Sequence, residues 1–227
     1  MYKKKLHSLV ILIPSYNELD NLKKFLLRLK KNFNIFVVDD HSSDQTHKWL
    51  IKNKINYIRN SKNLGYEKTL IKGMKIILKK NKYKSILTMD ADGQHTIKCL
   101  KKFTYKKIGL HDVIVGKRNR TNRYIENIIS NIFYKNNKIR DPLCGLKLYK
   151  CKILKKIKFN IIGNYFLVDL LSQCMNVTKK VTNISIKIRQ RHGSARIGNT
   201  LKVNVKLFKV LIYCLSKKLN LYSSKFE

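Results

Sequence analysis

The chain has 227 residues, 44% of them apolar and only two of them proline, which allows a hydrophobic core and excludes a low-complexity or disordered polymer. Its 50 Lys and Arg against 13 Asp and Glu give a net charge of +37, compatible with nucleic acid or a membrane surface as partner. Five scattered cysteines without a C-x-x-C pair argue against a zinc site or disulfide scaffold and, with no signal peptide, point to a reducing cytoplasm.

Residues 9–13, Leu-Val-Ile-Leu-Ile, form an unbroken apolar run stopped by Pro14, which predicts a buried parallel strand. Leu19, Leu22, Leu26 and Leu29 then recur at helical spacing over 18–31. A second buried strand covers 35–38 and ends in Asp39-Asp40, and Ser43-Asp44 can cap a helix running to about residue 51. A third strand at 55–58, a long helix at 65–80 and a fourth strand at 85–89 follow, the last ending in Asp90-Ala-Asp92. Beyond them the pattern predicts strands at 113–115 and 146–149, a helix at 124–134 and a half-exposed strand at 181–188. This alternation predicts one α/β domain over 1–199, with a mostly parallel central sheet flanked by helices.

Residues 200–227 form a separate segment in this reading. Leu201, Val205, Phe208, Ile212, Leu215 and Leu219 share one helical face, and Lys202, Lys206, Lys209 and Lys217 another. Such a basic amphipathic helix suits either a membrane interface or packing on the domain. No apolar run reaches the roughly 18 residues of a spanning helix, so membrane contact is expected to be peripheral.

Most of the charge is 41 Lys against nine Arg, amid many Asn and Ile, as codon bias in an AT-rich genome would produce. The placement of the acids carries more information. Glu18, Asp39, Asp40, Asp90 and Asp92 all follow predicted strands, the edge at which open α/β sheets bind ligands. Turn and cap preference accounts for Asp20 and Asp44, but not for the doublet or the pair. Asp90-x-Asp92 can direct two carboxylates at a hard cation, Mg2+ or Mn2+, that shares its shell with a diphosphate and so neutralises a nucleoside-diphosphate leaving group. A nucleic-acid-binding protein, the remote alternative, would need none of these carboxylates and would be repelled by them, so no nucleic acid partner is expected.

Pro14-Ser-Tyr16-Asn17-Glu18, Val38-Asp39-Asp40-His-Ser-Ser-Asp44-x-Thr46, Asn63-x-Gly65 with Gly73, and Asp90-Ala-Asp92-Gly-Gln94-His95 together resemble family 2 glycosyltransferases over residues 9–199. The Asp-x-Asp-x-Gln-His form is most similar to polyprenyl-phosphate sugar synthases of the dolichyl-phosphate mannose or glucose type. The resemblance implies the Rossmann-like GT-A fold. It also implies an inverting, metal-assisted transfer from a GDP- or UDP-linked sugar to polyprenyl phosphate, at the cytoplasmic face of a membrane. The alternative acceptor is a saccharide of a cell-surface polysaccharide or lipopolysaccharide.

Carried over by position, the resemblance implies that Pro14, Tyr16, Glu18, Asp39, Asp40, Lys68 and Asp90 bind the nucleotide, and that Asp90, Asp92 and Gln94 hold the metal. Asp141-Pro-Leu-Cys-Gly145-Leu-Lys-Leu-Tyr149 is similar to a D-x-x-x-G-[FL]-[KR] loop, which makes Asp141, with Asp92, the catalytic pair: a general base, or a group orienting an ionised acceptor. Val115-Gly-Lys-Arg118 resembles G-[ST]-R, and Arg189-Gln-Arg191-His-Gly193-Ser-Ala-Arg196 resembles R-x-G-x-S-[KR], with Ala195 at the serine position. Arg118, Arg191 and Arg196 are therefore the implied phosphate and acceptor contacts. Asp169 stands where the family has Glu at a helix start.

Overall fold

The computed structural model describes residues 8–105, 109–119, 123–159, 166–189 and 200–223. Strands and helices alternate through the first half as β1 (Leu9–Ser15), α1 (Leu19–Lys30), β2 (Asn34–Asp39), α2 (Thr46–Lys52), β3 (Tyr57–Arg59), α3 (Tyr66–Lys80) and β4 (Ser85–Thr88). The second half adds α4 (Ile97–Tyr105), β5 (Val113–Arg118), α5 (Tyr124–Asn137), β6 (Lys147–Lys150), α6 (Cys151–Leu154), α7 (Phe166–Val177), β7 (Val181–Ile186) and α8 (Thr200–Ser223). One seven-stranded sheet runs in the order β3-β2-β1-β4-β6-β5-β7, and only β6 is antiparallel to its neighbours.

β1 is buried along its whole length because it packs on both faces. Leu9, Ile11 and Ile13 meet Leu22, Leu26 and Leu29 of α1, Leu50 of α2 and Phe103 of α4. Val10 and Leu12, one step out of phase as a strand's period of two requires, meet Leu70 and Met74 of α3. On that second face the core continues through Ile129 and Phe133 of α5 and Leu171 of α7 to Val210, Leu211 and Cys214 of α8. All five cysteines are free and buried, with thiols pushed up to about 11 or 12 by burial, which leaves them as core side chains.

Four expectations shift. β3 is Tyr57–Arg59, because Ile55 instead turns inward and its N–H bonds the Leu50 carbonyl at 3.0 Å. β7 stops at Ile186, and Ile188 makes a lone bridge to His95. Asp44 sits two residues before α2 and serves two helices, accepting the Thr46 N–H at 3.2 Å and the Leu19 N–H at 3.0 Å. α8 divides its apolar residues between two faces: Leu207, Val210, Leu211 and Cys214 pack inward, while Val205, Phe208, Ile212 and Leu215 stay exposed. Among the described residues no helix is long and apolar enough to cross a membrane.

Candidate functional site

The strand order reverses between β1 and β4, the point at which a crevice opens beyond the carboxyl ends of the strands. Pro14, Tyr16 and Glu18 after β1, Asp40 after β2, and Asp90 and Asp92 after β4 line a cavity of about 550 Å³ there. Arg118 at the end of β5 also lines it, and Leu143, Leu167, Val168, Leu207 and Val210 make part of the wall apolar.

Two loops lock together at one rim. The Asn17 N–H donates to Ser42 Oγ at 2.8 Å, and Asn17 Oδ1 accepts the Ser43 N–H at 2.7 Å, which fixes the backbone beside Tyr16 and Glu18. The doublet Asp39-Asp40 has divided work. Asp39 is fully buried, accepts the Ser42 N–H at 3.2 Å, lies 3.3 Å from Arg59 Nε, and does not line the cavity. Asp40 does line it, while accepting Asn60 Nδ2 at 2.7 Å and the N–H groups of Leu64 and Gly65 at 2.8 Å each. Asp40 thereby holds the turn that starts α3. Lys68 is exposed on α3 and is not in the lining.

The carboxylates of β4 have an oxygen-rich setting. Asp90 Oδ1 accepts the Tyr66 hydroxyl at 2.8 Å, and Oδ2 lies 4.0 Å from His95 Nε2. Burial lowers the His95 pKa, so that ring is neutral at pH 7. Gly145 backs the same carboxylate so closely that a Cβ would stand 2.2 Å from Asp90 Oδ2. Asp92 Oδ1 accepts the Gln94 N–H at 3.1 Å. Two carboxylates over a cradle free of side chain fit a hard divalent cation such as Mg2+ or Mn2+. No group of three His, Cys, Asp or Glu among the described residues is placed to hold a metal, so the rest of the shell would come from substrate and water. Gln94 is not in the cavity lining, and its Nε2 donates to the Arg189 carbonyl at 3.3 Å. The Arg189 N–H in turn bonds the Gln94 carbonyl at 3.0 Å. Arg191 and Arg196 lie outside the described residues.

Asp141 departs most from expectation. Its Oδ2 accepts Arg118 Nε at 2.7 Å and the Arg118 N–H at 2.9 Å, and Oδ1 accepts Nη2 at 2.6 Å. It is buried and absent from the lining, so as placed it is no general base toward the cavity. Burial alone would lower the Arg118 pKa, but the hydrogen bonds and charge of Asp141 hold it above its ordinary value. Asp169 likewise faces away, accepting Gln173 Nε2 at 2.7 Å and the Tyr213 hydroxyl, a tie between α7 and α8.

Motif reading passed over several groups. Tyr66, Arg123, Glu126 and Lys206 line the cavity, with Glu126 Oε2 3.6 Å from Arg118 Nη2 and Lys206 Nζ 3.7 Å from Glu67 Oε1. Arg123 carried a usable signal, as one of nine arginines in a chain of 41 lysines. Lys147, inside β6, is fully buried and its Nζ has no hydrogen-bond partner. Burial pushes its pKa down to about 8, against the pull of Cys144, Asp141 and Asp90.

The family model for glycosyl transferase family 2 matches residues 10–164. The chain is 35% identical over 172 residues to an uncharacterized protein of Methanocaldococcus jannaschii, covering 66% of this chain and 75% of that one. It is 26% identical over 214 residues to the dolichol-phosphate mannosyltransferase of Pyrococcus furiosus, covering 84% of this chain but only 60% of that protein's length. Glucosyl-3-phosphoglycerate synthase from Mycobacterium tuberculosis, solved with Mg2+ and UDP, superposes with a TM-score of 0.73 over 95% of this chain and 83% of that one. At 12% identity that likeness is one of fold, the GT-A fold. The family match spans well over half of the chain and includes both aspartates of the β4 loop, and the chain belongs to glycosyl transferase family 2: it is a glycosyltransferase.

Proposed function

We propose that the protein transfers a sugar, with inversion, from a nucleotide-sugar donor to a phosphate carried on a polyprenyl lipid. One observation carries the reading: a single cavity joins the Asp90/Asp92 pair, the guanidinium of Arg118 and an apolar wall. These are the chemistries of a diphosphate, a second phosphate and a hydrocarbon chain. The dolichol-phosphate acceptor in the name of the Pyrococcus relative and the UDP of the solved neighbour support it.

Pro14, Tyr16, Glu18 and Asp40 receive the nucleoside in this reading. Asp90 and Asp92 would hold a Mg2+ or Mn2+ ion, which would supply positive charge to offset that on the leaving diphosphate. Arg118 binds the acceptor phosphate, and Arg191 and Arg196 are further phosphate partners. An acceptor phosphate oxygen attacks the anomeric carbon opposite the leaving group. The carbon–oxygen bond to the diphosphate breaks, and its electron pair departs with the nucleoside diphosphate. That oxygen is already ionised at neutral pH, so no base is required, and Asp141 acts by fixing Arg118.

The test is a thermal-shift screen of GDP and UDP with Mn2+, followed by radiolabelled transfer from the matching nucleotide sugar to polyprenyl phosphate or to a saccharide. A nucleotide shift that depends on Mn2+, with label in the lipid phosphate, is expected. No response to any nucleotide overturns the donor assignment, and transfer to saccharide alone overturns the lipid acceptor.

A further inference from the structure

α8 carries two apolar faces, and packing explains only one of them. Leu207, Val210, Leu211 and Cys214 are buried, the last three within the core that includes Ile129 and Phe133 of α5. Val205, Phe208, Ile212 and Leu215 are 50%, 55%, 52% and 43% exposed. Their spacing of three, four and three residues holds them in one stripe, roughly 120° around the helix from the buried face. The two faces adjoin through Leu211. Since Leu207 and Val210 line the cavity, apolar surface runs from the cavity wall around α8 to the outside.

We infer that this outward stripe docks α8 on the surface of an anionic bilayer. Charge selects the occupant. α8 holds five lysines and no acidic residue, and Lys209 is exposed beside Phe208. A second copy of the chain would set one lysine-rich helix against another with no carboxylate on either to pair them. A nucleic acid would satisfy the lysines and leave the stripe in water. An anionic bilayer meets both needs, with acyl chains for the stripe and headgroup phosphates for the lysines. Seated in this way, α8 holds the cavity close to the headgroup layer, the level at which a lipid acceptor presents its phosphate.

The inference does not depend on the acceptor proposed above, because vesicle binding is read without donor or acceptor. The full chain is sedimented with phosphatidylglycerol or phosphatidylcholine vesicles, alongside a Phe208→Ser/Ile212→Ser double variant. Neither residue lines the cavity, and both are exposed, so an unchanged melting temperature and nucleotide-induced shift are expected of the variant. The wild type is expected to bind phosphatidylglycerol vesicles, weakening as salt rises, and the variant to bind at least tenfold more weakly. Equal binding to phosphatidylcholine, or undiminished binding by the folded variant, overturns the inference. A wild-type dimer that the variant converts to monomer in sedimentation velocity also overturns it, by assigning the face to a second copy.

Discussion

At Asp141 three donors from Arg118 converge on one carboxylate, at 2.6, 2.7 and 2.9 Å. Asp141→Asn removes the charge and leaves one acceptor for a fork that needs two. The KM for the acceptor is expected to rise about tenfold, the size of one charge-assisted hydrogen bond. The nucleotide-induced thermal shift, the saturated turnover and the shape of the pH–rate profile should stay as they were. A collapse of kcat with loss of the acidic limb would instead restore Asp141 as a base. Lys147 presents the opposite problem, a buried cation with no hydrogen-bond partner. A lysine whose pKa falls from 10.5 to about 8 on folding gives up its proton more readily in the folded state. The cost of its charge is therefore full below about pH 8 and is relieved as pH rises toward 10.5. Lys147→Met should melt higher than wild type at pH 7 in chelator, by about 2–4 °C per kcal/mol recovered, and that gap should shrink to about a quarter by pH 10. A gap of undiminished size at pH 10 would trace the difference to packing instead of charge. These two residues also mark what the sequence could not reveal. Asp90 and Asp92 are legible because a strand end and a D-x-D spacing suffice to find them. The division between Asp39 and Asp40 rests on Arg59 and on the turn at Leu64 and Gly65, some 20 residues away, and one lysine among 41 gives no sign that it is buried.

Among the elements, legibility follows burial. β1 and β2 are unbroken apolar runs because both of their faces are covered, and such runs need no knowledge of neighbours. β3 is an edge strand of half-exposed residues, so its position follows pairing with Val37, Val38 and Asp39, and the more apolar Ile55 nearby misleads. α8 misleads differently, because a count of apolar positions does not tell an inner stripe from an outer one. Gly73 tests the tightest joint between layers. A Cβ there would stand 2.5 Å from Leu12 Cδ1 and 2.9 Å from Val38 Cγ2, both on fully buried side chains of the central strands. Gly73→Ala gains about 1 kcal/mol of helix propensity but overpacks the joint by about 1–3 kcal/mol, so net destabilisation is expected. The displaced helix is also the one whose first residue, Tyr66, hydrogen-bonds Asp90. A lower melting temperature and a weaker nucleotide response should therefore appear together. An unchanged melting temperature would mean that α3 can ride away from the sheet at no cost.

On the scale of the whole molecule, 13 acids cannot neutralise 50 bases, however they are arranged. Several acids are committed to short-range pairs: Asp141 with Arg118 is buried, whereas Asp112 with Lys150 and Lys152, and Glu67 with Lys206, reach the surface. Added salt acts on these terms unequally. It barely touches the buried pair, and it weakens each surface pair by a fraction of the about 1 kcal/mol at most that such a pair contributes. The repulsion among unmatched lysines extends over the whole surface, and a Debye length near 10 Å at 0.1 M screens most of it. Repulsion is the larger sum at +37, so the melting temperature should climb as sodium chloride rises from about 20 to about 300 mM, and then level off. A falling melting temperature would mean that the few ion pairs outweigh the many unpaired cations. Vesicle binding through α8 should follow the opposite sign over the same range, because there the lysines are attracted by the partner. The same ions would then stabilise the free chain and detach it from lipid, and a scan of both in one salt series separates the protein's self-repulsion from its attraction to the bilayer.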